Sequence, residues 1–171
     1  LLTIAAAASL LAGCATLPAG TEGTATPAAS APAELETTQV VEASFEQPAN
    51  VGERFGADGV ALEVWSGIAP DESAPAALGE LAEGNVWVTT HTAQWVAEPI
   101  DTNFDVAPVL RSTTDESLTF EAVSPREAGI PMTAEKLYTF PWYFQVPAHL
   151  ADAESLVLCV TADGACSLIT G

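Results

Sequence analysis

The sequence predicts an all-β protein, an antiparallel β-sandwich of seven or eight strands preceded by a disordered N-terminal tether. Two observations lead to this fold class. From residue 51 onward, short runs rich in β-branched and aromatic residues alternate with Gly, Pro, Asp and Asn, as in strands joined by turns. Of the 171 residues, 49% are apolar, which is enough to bury the core of one domain. A β-barrel is the competing architecture.

The chain opens with LLTIAAAASLLAG, a stretch of mostly apolar and small residues. A membrane-spanning helix needs about 20 such residues, so this shorter stretch predicts the apolar region of a secretory signal over 1–13. The chain starts without Met and without the basic residues that open such signals. We therefore expect its start to be truncated.

Residues Leu11 to Cys14 resemble the lipobox of bacterial lipoproteins, in which an aliphatic residue and two small residues precede a cysteine. The resemblance implies that Cys14 carries a diacylglyceryl thioether, becomes the mature N-terminus and anchors the protein at the outer face of the cytoplasmic membrane. Two or three acyl chains hold a protein durably, whereas one chain does so only marginally. The alternative is an ordinary signal that ends at a buried or chance cysteine.

The stretch from residue 14 to residue 49 consists mainly of Ala, Thr, Pro, Gly, Ser and Glu. Such a composition buries too little apolar surface to offset the entropy of ordering the chain. We therefore predict a disordered tether over 14–49 and a β-sandwich domain over 50–171.

The charge of the chain is strongly one-sided, with 23 acidic and 4 basic residues and a net charge of −19. Nucleic-acid binding relies on Lys and Arg to neutralise phosphates, so direct binding of nucleic acid is not expected. A single Lys and the abundance of Ala favour a GC-rich genome, such as that of an actinobacterium.

The first long strand is predicted in VALEVWS, which places Val60, Leu62 and Val64 on one face and Glu63 and Trp65 on the other. Only PAALGELAE has the apolar spacing of a helix, and it predicts one or two turns. The further strand candidates span 85–97, 107–113, 117–123, 138–146 and 154–160.

The triplet Ala-Asp-Gly occurs twice, in RFGADGVAL and in LCVTADGACSL, and each time predicts a hairpin with a three-residue loop. With Gly164 at the bulge of the second loop, Cys159 lies directly opposite Cys166. Opposed positions of antiparallel strands bring the two Cβ atoms within reach of a disulfide. An exported hairpin favours this disulfide over a zinc site.

Residues 51 to 160 resemble the telokin-like, immunoglobulin-like domain of bacterial surface lipoproteins. The matching stretches are VGERFGADGVALEVWS, GELAEGNVWVTTHTAQWVAEPI and LYTFPWYFQVP, although AEPIDTN replaces the usual Asn-x-Gly turn. The resemblance implies an immunoglobulin-like sandwich with a binding or accessory role outside the membrane. It implies no active-site residue.

His91 is the most suggestive polar residue of the strands, because it shares strand parity with Trp87 and Trp95. An aromatic-flanked histidine suits a sugar or metal site, whereas the simpler interpretation is a histidine packed on a sheet face. In LYTFPWYFQVP, the odd-numbered Tyr143 faces away from its even-numbered aromatic neighbours, and Pro141 indicates an edge strand or a bulge. These even-numbered aromatics predict a packed core, with a carbohydrate- or partner-binding platform as the alternative.

Metal and catalytic patterns are weak. Asp101, Asn103 and Asp105 have the spacing of a calcium loop, but Val106 and Ser112 stand where such a loop needs Gly and Glu. Neighbouring carboxylates, as in DES and TDES, are typical of solvated turns. His149 is expected in a surface loop, and no hydrolase motif is present. We therefore expect no catalytic, cofactor-binding or metal-binding residue.

Three functions fit these observations. The favoured one is a lipid-anchored, non-catalytic protein-interaction or assembly module of the cell envelope, with the membrane and an unknown envelope protein as partners. The second is a solute- or glycan-binding lipoprotein, which would need a concave pocket lined by Trp65, Trp87 or Trp95. The third is an envelope enzyme, which would need a cleft with paired titratable residues.

Overall fold

The computed structural model describes residues 39–134 and 136–170. The predicted signal over 1–13, Cys14 and most of the predicted tether lie outside these residues. The described part is all-β and contains eight strands with short 3₁₀ turns between them. The strands are β1 Arg54–Ala57, β2 Val60–Pro70, β3 Asn85–Val96, β4 Val109–Ser112, β5 Thr119–Glu121, β6 Tyr138–Pro147, β7 Leu156–Cys159 and β8 Cys166–Leu168.

The strands form two antiparallel four-stranded sheets, which confirms the predicted β-sandwich. The first sheet has the order β1-β2-β3-β6 and the second has the order β5-β4-β7-β8. The predicted helical stretch forms one 3₁₀ turn, Ala76–Leu78. Among the described residues, no helix is both long and apolar enough to span a bilayer.

One core lies between the sheets and contains side chains of both. The first sheet contributes Leu62 and Val64 from β2 and the even-numbered aromatics of β6, as the alternation predicted. Tyr143 faces outward and is half-buried, also as predicted. The largest fully buried side chains of the core are Trp142, Phe55, Phe144, Leu62, Leu110, Met132, Leu156, Leu158 and Ile169.

Pro141 lies in β6, an edge strand of the first sheet, which agrees with the prediction. Tyr143 exchanges backbone hydrogen bonds with Val123 on the side away from β3. Because N–H groups alternate in direction along a strand, Pro141 also stands on that outer side. Its missing N–H therefore removes no bond to β3.

The two Ala-Asp-Gly hairpins use different turns. Between β1 and β2, Asp58 and Gly59 both have positive φ, at 51° and 81°, so the loop has two residues rather than the three expected. In the second hairpin the Val160 N–H donates to Ala165 O, as predicted, but Gly164 does not have positive φ. A Cβ atom at this position would lie 2.6 Å from Thr161 Oγ1, so any larger residue would force the Thr161 side chain to move.

The predicted disulfide between Cys159 and Cys166 is present, with the two Cα atoms 3.9 Å apart. Both residues are fully buried in a small cluster of the second sheet, separate from the main core. Phe45 packs against this cluster, and the Arg111 guanidinium lies 4.0 Å from the centre of the Phe45 ring. The disulfide is therefore covered by a residue of the N-terminal segment.

Residues 39–49, which the sequence analysis placed in the tether, belong to the folded domain. The Val41 N–H donates to Arg54 O at the outer side of β1, at 2.8 Å. Ala49 bonds to both sides of Ser167 in β8, donating to Cys166 O and accepting from Leu168 N, and its side chain is buried in the core. This segment joins the two sheets along one side of the sandwich, so the predicted boundary at residue 50 lies too far along the chain.

Candidate functional site

The outer face of the first sheet carries the most prominent aromatic surface of the described chain. Along β3 the side chains of Val88, Thr90, Thr92, Gln94 and Val96 are buried, so the odd-numbered residues between them face outward. This places Trp87, His91 and Trp95 on one face, as the parity predicted. At about 3.3 Å per residue, Trp87 and Trp95 lie about 26 Å apart along the strand. We call the outward-facing set of Trp65, Trp87, His91, Trp95 and Tyr143 the aromatic face.

A β-bulge in β2 brings Trp65 onto this face. Val64 pairs with Thr92, but Ser66 pairs with His91, so Trp65 is an extra residue between the two pairs. Trp65 is 51% exposed, and its indole Nε1 donates to Glu63 Oε1 at 2.7 Å. A large aromatic ring is thereby held outside the core beside a carboxylate.

His91 is part of the hydrogen bonding that fixes the bulge. Its backbone N–H donates to Ser66 Oγ at 3.1 Å, and its Nδ1 lies 3.3 Å from the same oxygen. The hydroxyl of Thr90 donates to Ser66 O at 2.7 Å from the core side of the strand. These bonds give His91 a structural partner and leave its ring exposed on the aromatic face.

The Trp95 ring is in contact with the side chain of Arg54. The guanidinium carbon of Arg54 lies 3.6 Å from the centre of the Trp95 ring, which is a cation–π contact. Arg54 stands opposite Glu63 in the β1–β2 register, so the same cation also lies next to a carboxylate-bearing position. The Trp95 ring of the aromatic face is therefore already in contact with an arginine of the same chain.

The loop between β2 and β3 borders the aromatic face beside Trp87. The Asp71 N–H donates to Trp87 O at 2.8 Å, and the Thr89 hydroxyl donates to Asp71 Oδ2 at 2.8 Å. Hydrogen bonds from the hydroxyls of Ser73 and Thr89 lower the pKa of the Asp71 carboxyl below its ordinary value. Farther along the loop, Gln145 of β6 accepts from the backbone N–H of Ala82.

The calcium-like triplet does not converge. Asn103 is buried and its Oδ1 accepts from the Ile130 N–H at 2.8 Å, whereas Asp101 and Asp105 are exposed. Within residues 39–134 and 136–170, no three His, Cys, Asp or Glu side chains are grouped so as to hold a metal ion. His149 is exposed, in a short 3₁₀ turn.

The predicted turn carboxylate Asp115 accepts hydrogen bonds from a residue of its own turn. Asp115 accepts from the hydroxyl and the N–H of Ser117, and these two bonds lower the pKa of the Asp115 carboxyl. A general acid would need the opposite shift. A shallow depression of about 360 Å³ lies at the β1–β2 turn, beside Asp58 and Glu98, and contains none of the tryptophans that the solute-binding hypothesis requires.

The period-2 pattern predicts that Trp87, His91 and Trp95 share one face of their strand, but it predicts neither that this face is the outer one nor that Trp65 lies beside His91. The bulge that brings Trp65 there depends on pairing between β2 and β3, for which the sequence offers no local signal. Arg54 was also missed, although its place at the start of an opening hairpin is visible in RFGADGVAL.

Two solved structures are similar to this chain. One is a candidate lipoprotein, ycdA, from Bacillus subtilis subsp. subtilis str. 168, with 12% identity and a TM-score of 0.37 over 55% of this chain and 30% of that one. The other is an uncharacterized β-sandwich protein from Clostridium difficile 630, with 10% identity and a TM-score of 0.41 over 70% of this chain and 91% of that one. This chain therefore spans less than a third of the length of the B. subtilis protein. No known protein-family profile and no curated protein matches the chain, and its resemblance to the telokin-like domain stays a prediction.

Proposed function

We propose that this chain is a lipid-anchored envelope protein whose β-sandwich is a non-catalytic protein-interaction module, with the aromatic face as its contact surface. The observation that carries the proposal is the Trp65 ring, 51% exposed on a sheet face that also holds Trp87, His91 and Trp95. Exposed clusters of large aromatic side chains are typical of protein interfaces, where Trp and Tyr are enriched.

The polar groups around the face support binding by protein contacts over sugar binding or catalysis. Sugar sites need free, convergent polar groups beside the aromatic ring. Next to Trp87, the side chains of Thr89 and Gln145 are already bonded to the bordering loop. The lowered pKa of Asp71 keeps that carboxylate ionised, which suits a loop anchor and not a general acid.

The anchor is proposed at Cys14, which lies outside the described residues. Val41 is paired with β1, so the stretch from Cys14 to Val41 separates the proposed lipid from the sandwich. Fully extended, a stretch of this length would span roughly 90 Å. The domain could thus contact envelope proteins some distance from the bilayer.

The anchor is tested with Cys14→Ser in intact cells. We expect the wild-type chain to sediment with membranes and to carry acyl mass, and the variant to lose both. A variant that sediments with membranes in unchanged amount, without acyl mass, would contradict the lipid anchor.

The contact surface is tested by placing a photo-crosslinking amino acid, p-benzoyl-phenylalanine, at position 65 in intact cells. Position 119, which is exposed on β5 of the second sheet, serves as the matched control. We expect discrete protein adducts from position 65 and few or none from position 119. Equal adducts from both positions, or none from position 65, would refute the aromatic face as the interaction surface.

A further inference from the structure

The charges around the aromatic face are nearly all negative. Its one basic residue among the described positions is Arg54, and the guanidinium of that residue already lies over Trp95. Arg111 and Lys136 lie over other rings, and none of the cation–ring contacts of the described residues involves Trp65 or Trp87. The acidic residues of the face and its bordering loop are Glu63, Asp71, Glu72, Glu80 and Glu83.

We infer that the aromatic face binds a polypeptide segment that carries lysine or arginine side chains. This inference rests on the proposed function and names the chemistry of its partner. A chain with a net charge of −19 attracts cationic partners and repels a second copy of itself. Charge complementarity therefore selects a basic polypeptide over self-association.

The chain contains an internal example of this recognition. Arg54 places its guanidinium 3.6 Å from the Trp95 ring and lies opposite Glu63 in the sheet. Two residues further along β2 from Glu63, Trp65 has an exposed indole ring, and its Nε1 donates to the Glu63 carboxylate. An incoming cation over Trp65 would therefore meet an indole ring, as Arg54 does over Trp95, and would lie close to the Glu63 carboxylate that Trp65 contacts.

The hydrogen bond between Trp65 and Glu63 also limits the cost of binding. It fixes the ring in place before a partner arrives, so less side-chain entropy is lost on association. One exposed cation–π contact is worth about a two- to fivefold change in Kd. Several such contacts along the face would give a weak, salt-sensitive complex.

The dimensions of the face fit a short extended segment. The distance of about 26 Å between Trp87 and Trp95 matches about eight residues of extended chain, and four strands span about 14 Å across. This is a small contact area, typical of transient complexes. A neutral glycan of similar length would gain hydrogen bonds but no charge attraction from the surrounding carboxylates, which makes it the less favoured occupant.

The test uses the full chain, purified in a non-ionic detergent, and a fluorescein-labelled peptide of four Ala-Lys repeats. A second peptide carries Nε-acetyl-lysine at the same positions, and chitohexaose serves as the glycan probe. Fluorescence anisotropy measures peptide affinity at 25 mM and 150 mM salt, and amide NMR shifts report which sheet is contacted by each probe.

We expect the lysine peptide to bind with shifts along β3 and the acetylated peptide to bind at least about tenfold more weakly. Trp65→Leu and Glu63→Gln should each weaken the lysine peptide about two- to fivefold. The matched controls are Phe104→Leu, an exposed ring elsewhere, and Glu121→Gln, an exposed carboxylate on the second sheet. Both should change the Kd by less than about 1.5-fold.

If Glu63→Gln and Glu121→Gln change the Kd of the lysine peptide equally, the binding is general charge attraction, and the inference is overturned. Chitohexaose shifts along β3 without lysine-peptide binding would overturn it in favour of a glycan. If position 65 crosslinks protein in cells while the lysine peptide fails to bind, the proposed function stands and this inference falls.

Discussion

The disulfide between Cys159 and Cys166 allows a quantitative test of how the second sheet is stabilised. The two cysteines are seven residues apart in the sequence and close a hairpin whose register is already set by backbone pairing. The perturbation is the double variant Cys159→Ala/Cys166→Ala, compared with the wild-type chain in its oxidised and its reduced form.

The expected loss follows from the size of the loop. Cross-linking residues seven apart removes unfolded-state entropy worth about 2.5 kcal/mol at 25 °C. The double variant also removes two fully buried sulfur atoms, which raises its loss to about 3 kcal/mol. For a domain of this size, about 3 kcal/mol corresponds to a fall in Tm of about 10 °C.

Circular dichroism during heating and in urea measures both quantities. The wild-type chain reduced with a phosphine keeps its sulfur atoms, so its loss isolates the cross-link at about 2.5 kcal/mol. The urea m-value should rise in both reduced and substituted chains, because the unfolded state becomes more extended. A reduced wild-type chain that melts within about 2 °C of the oxidised one would refute the entropic argument.

Three further predictions concern the cover of the disulfide, the core and the loop at the aromatic face. Phe45→Ala should lower the free energy of unfolding in urea by about 1–2 kcal/mol, because the ring is half-buried. It should also speed phosphine reduction of the disulfide, because Phe45 packs against the cysteine cluster, whereas the control Phe104→Ala should leave the reduction rate unchanged. Trp142→Phe should change the free energy of unfolding by less than about 1 kcal/mol, because the buried indole N–H has no hydrogen-bond partner among the described residues. Trp142→Ala should cost about 3–5 kcal/mol, because it leaves a cavity in the core. Thr89→Val should raise the pKa of Asp71 in an NMR titration, since one of the hydroxyls that lower it is lost. In the wild type the folded-state pKa of Asp71 is depressed, so its contribution to stability is complete above the unfolded value of about 3.9 and is lost as the pH falls through the folded-state pKa. An Asp71 pKa that is the same in the Thr89→Val variant and the wild type would contradict the role of the Thr89 hydroxyl.

The strands, the hairpins and the disulfide could be predicted because their signals are local. Turn residues mark the ends of each strand, and the register of a hairpin is set by residues close in sequence. Cys159 and Cys166 face each other for that reason alone. Even there, the local turn geometry at Gly59 and Gly164 differed from the expected loop, since several turns join the same two strands.

The inner face of β3 could not be predicted from its own pattern. Each side of β3 carries three apolar and three polar residues, and the buried side is the one that holds Thr90, Thr92 and Gln94. The choice is made by the neighbouring strands. Gln94 pairs with Leu62 of β2, and Thr92 pairs with Phe140 of β6, and these apolar partners place the even-numbered side of β3 in the core.

The N-terminal segment was missed for a related reason. Val41, Phe45 and Ala49 recur every four residues, which matches neither the period of a strand nor a sustained helical face. Val41 and Ala49 make single bridges to distant parts of the chain, and Phe45 packs against the disulfide cluster of the second sheet. Long-range pairs of this kind leave no periodic trace in the sequence.

Several backbone groups at the sheet edges are already bonded within the domain, which supports the proposal that a partner contacts side chains of the aromatic face. Val41 and Ala49 pair with the outer strands on one side, and Val123 pairs with Tyr143 on the other. These bonds occupy backbone groups that a partner strand would need for edge-to-edge pairing. On the second sheet, Phe45 covers the disulfide cluster. Trp65, by contrast, is 51% exposed, which is why the proposed contact is centred on that ring.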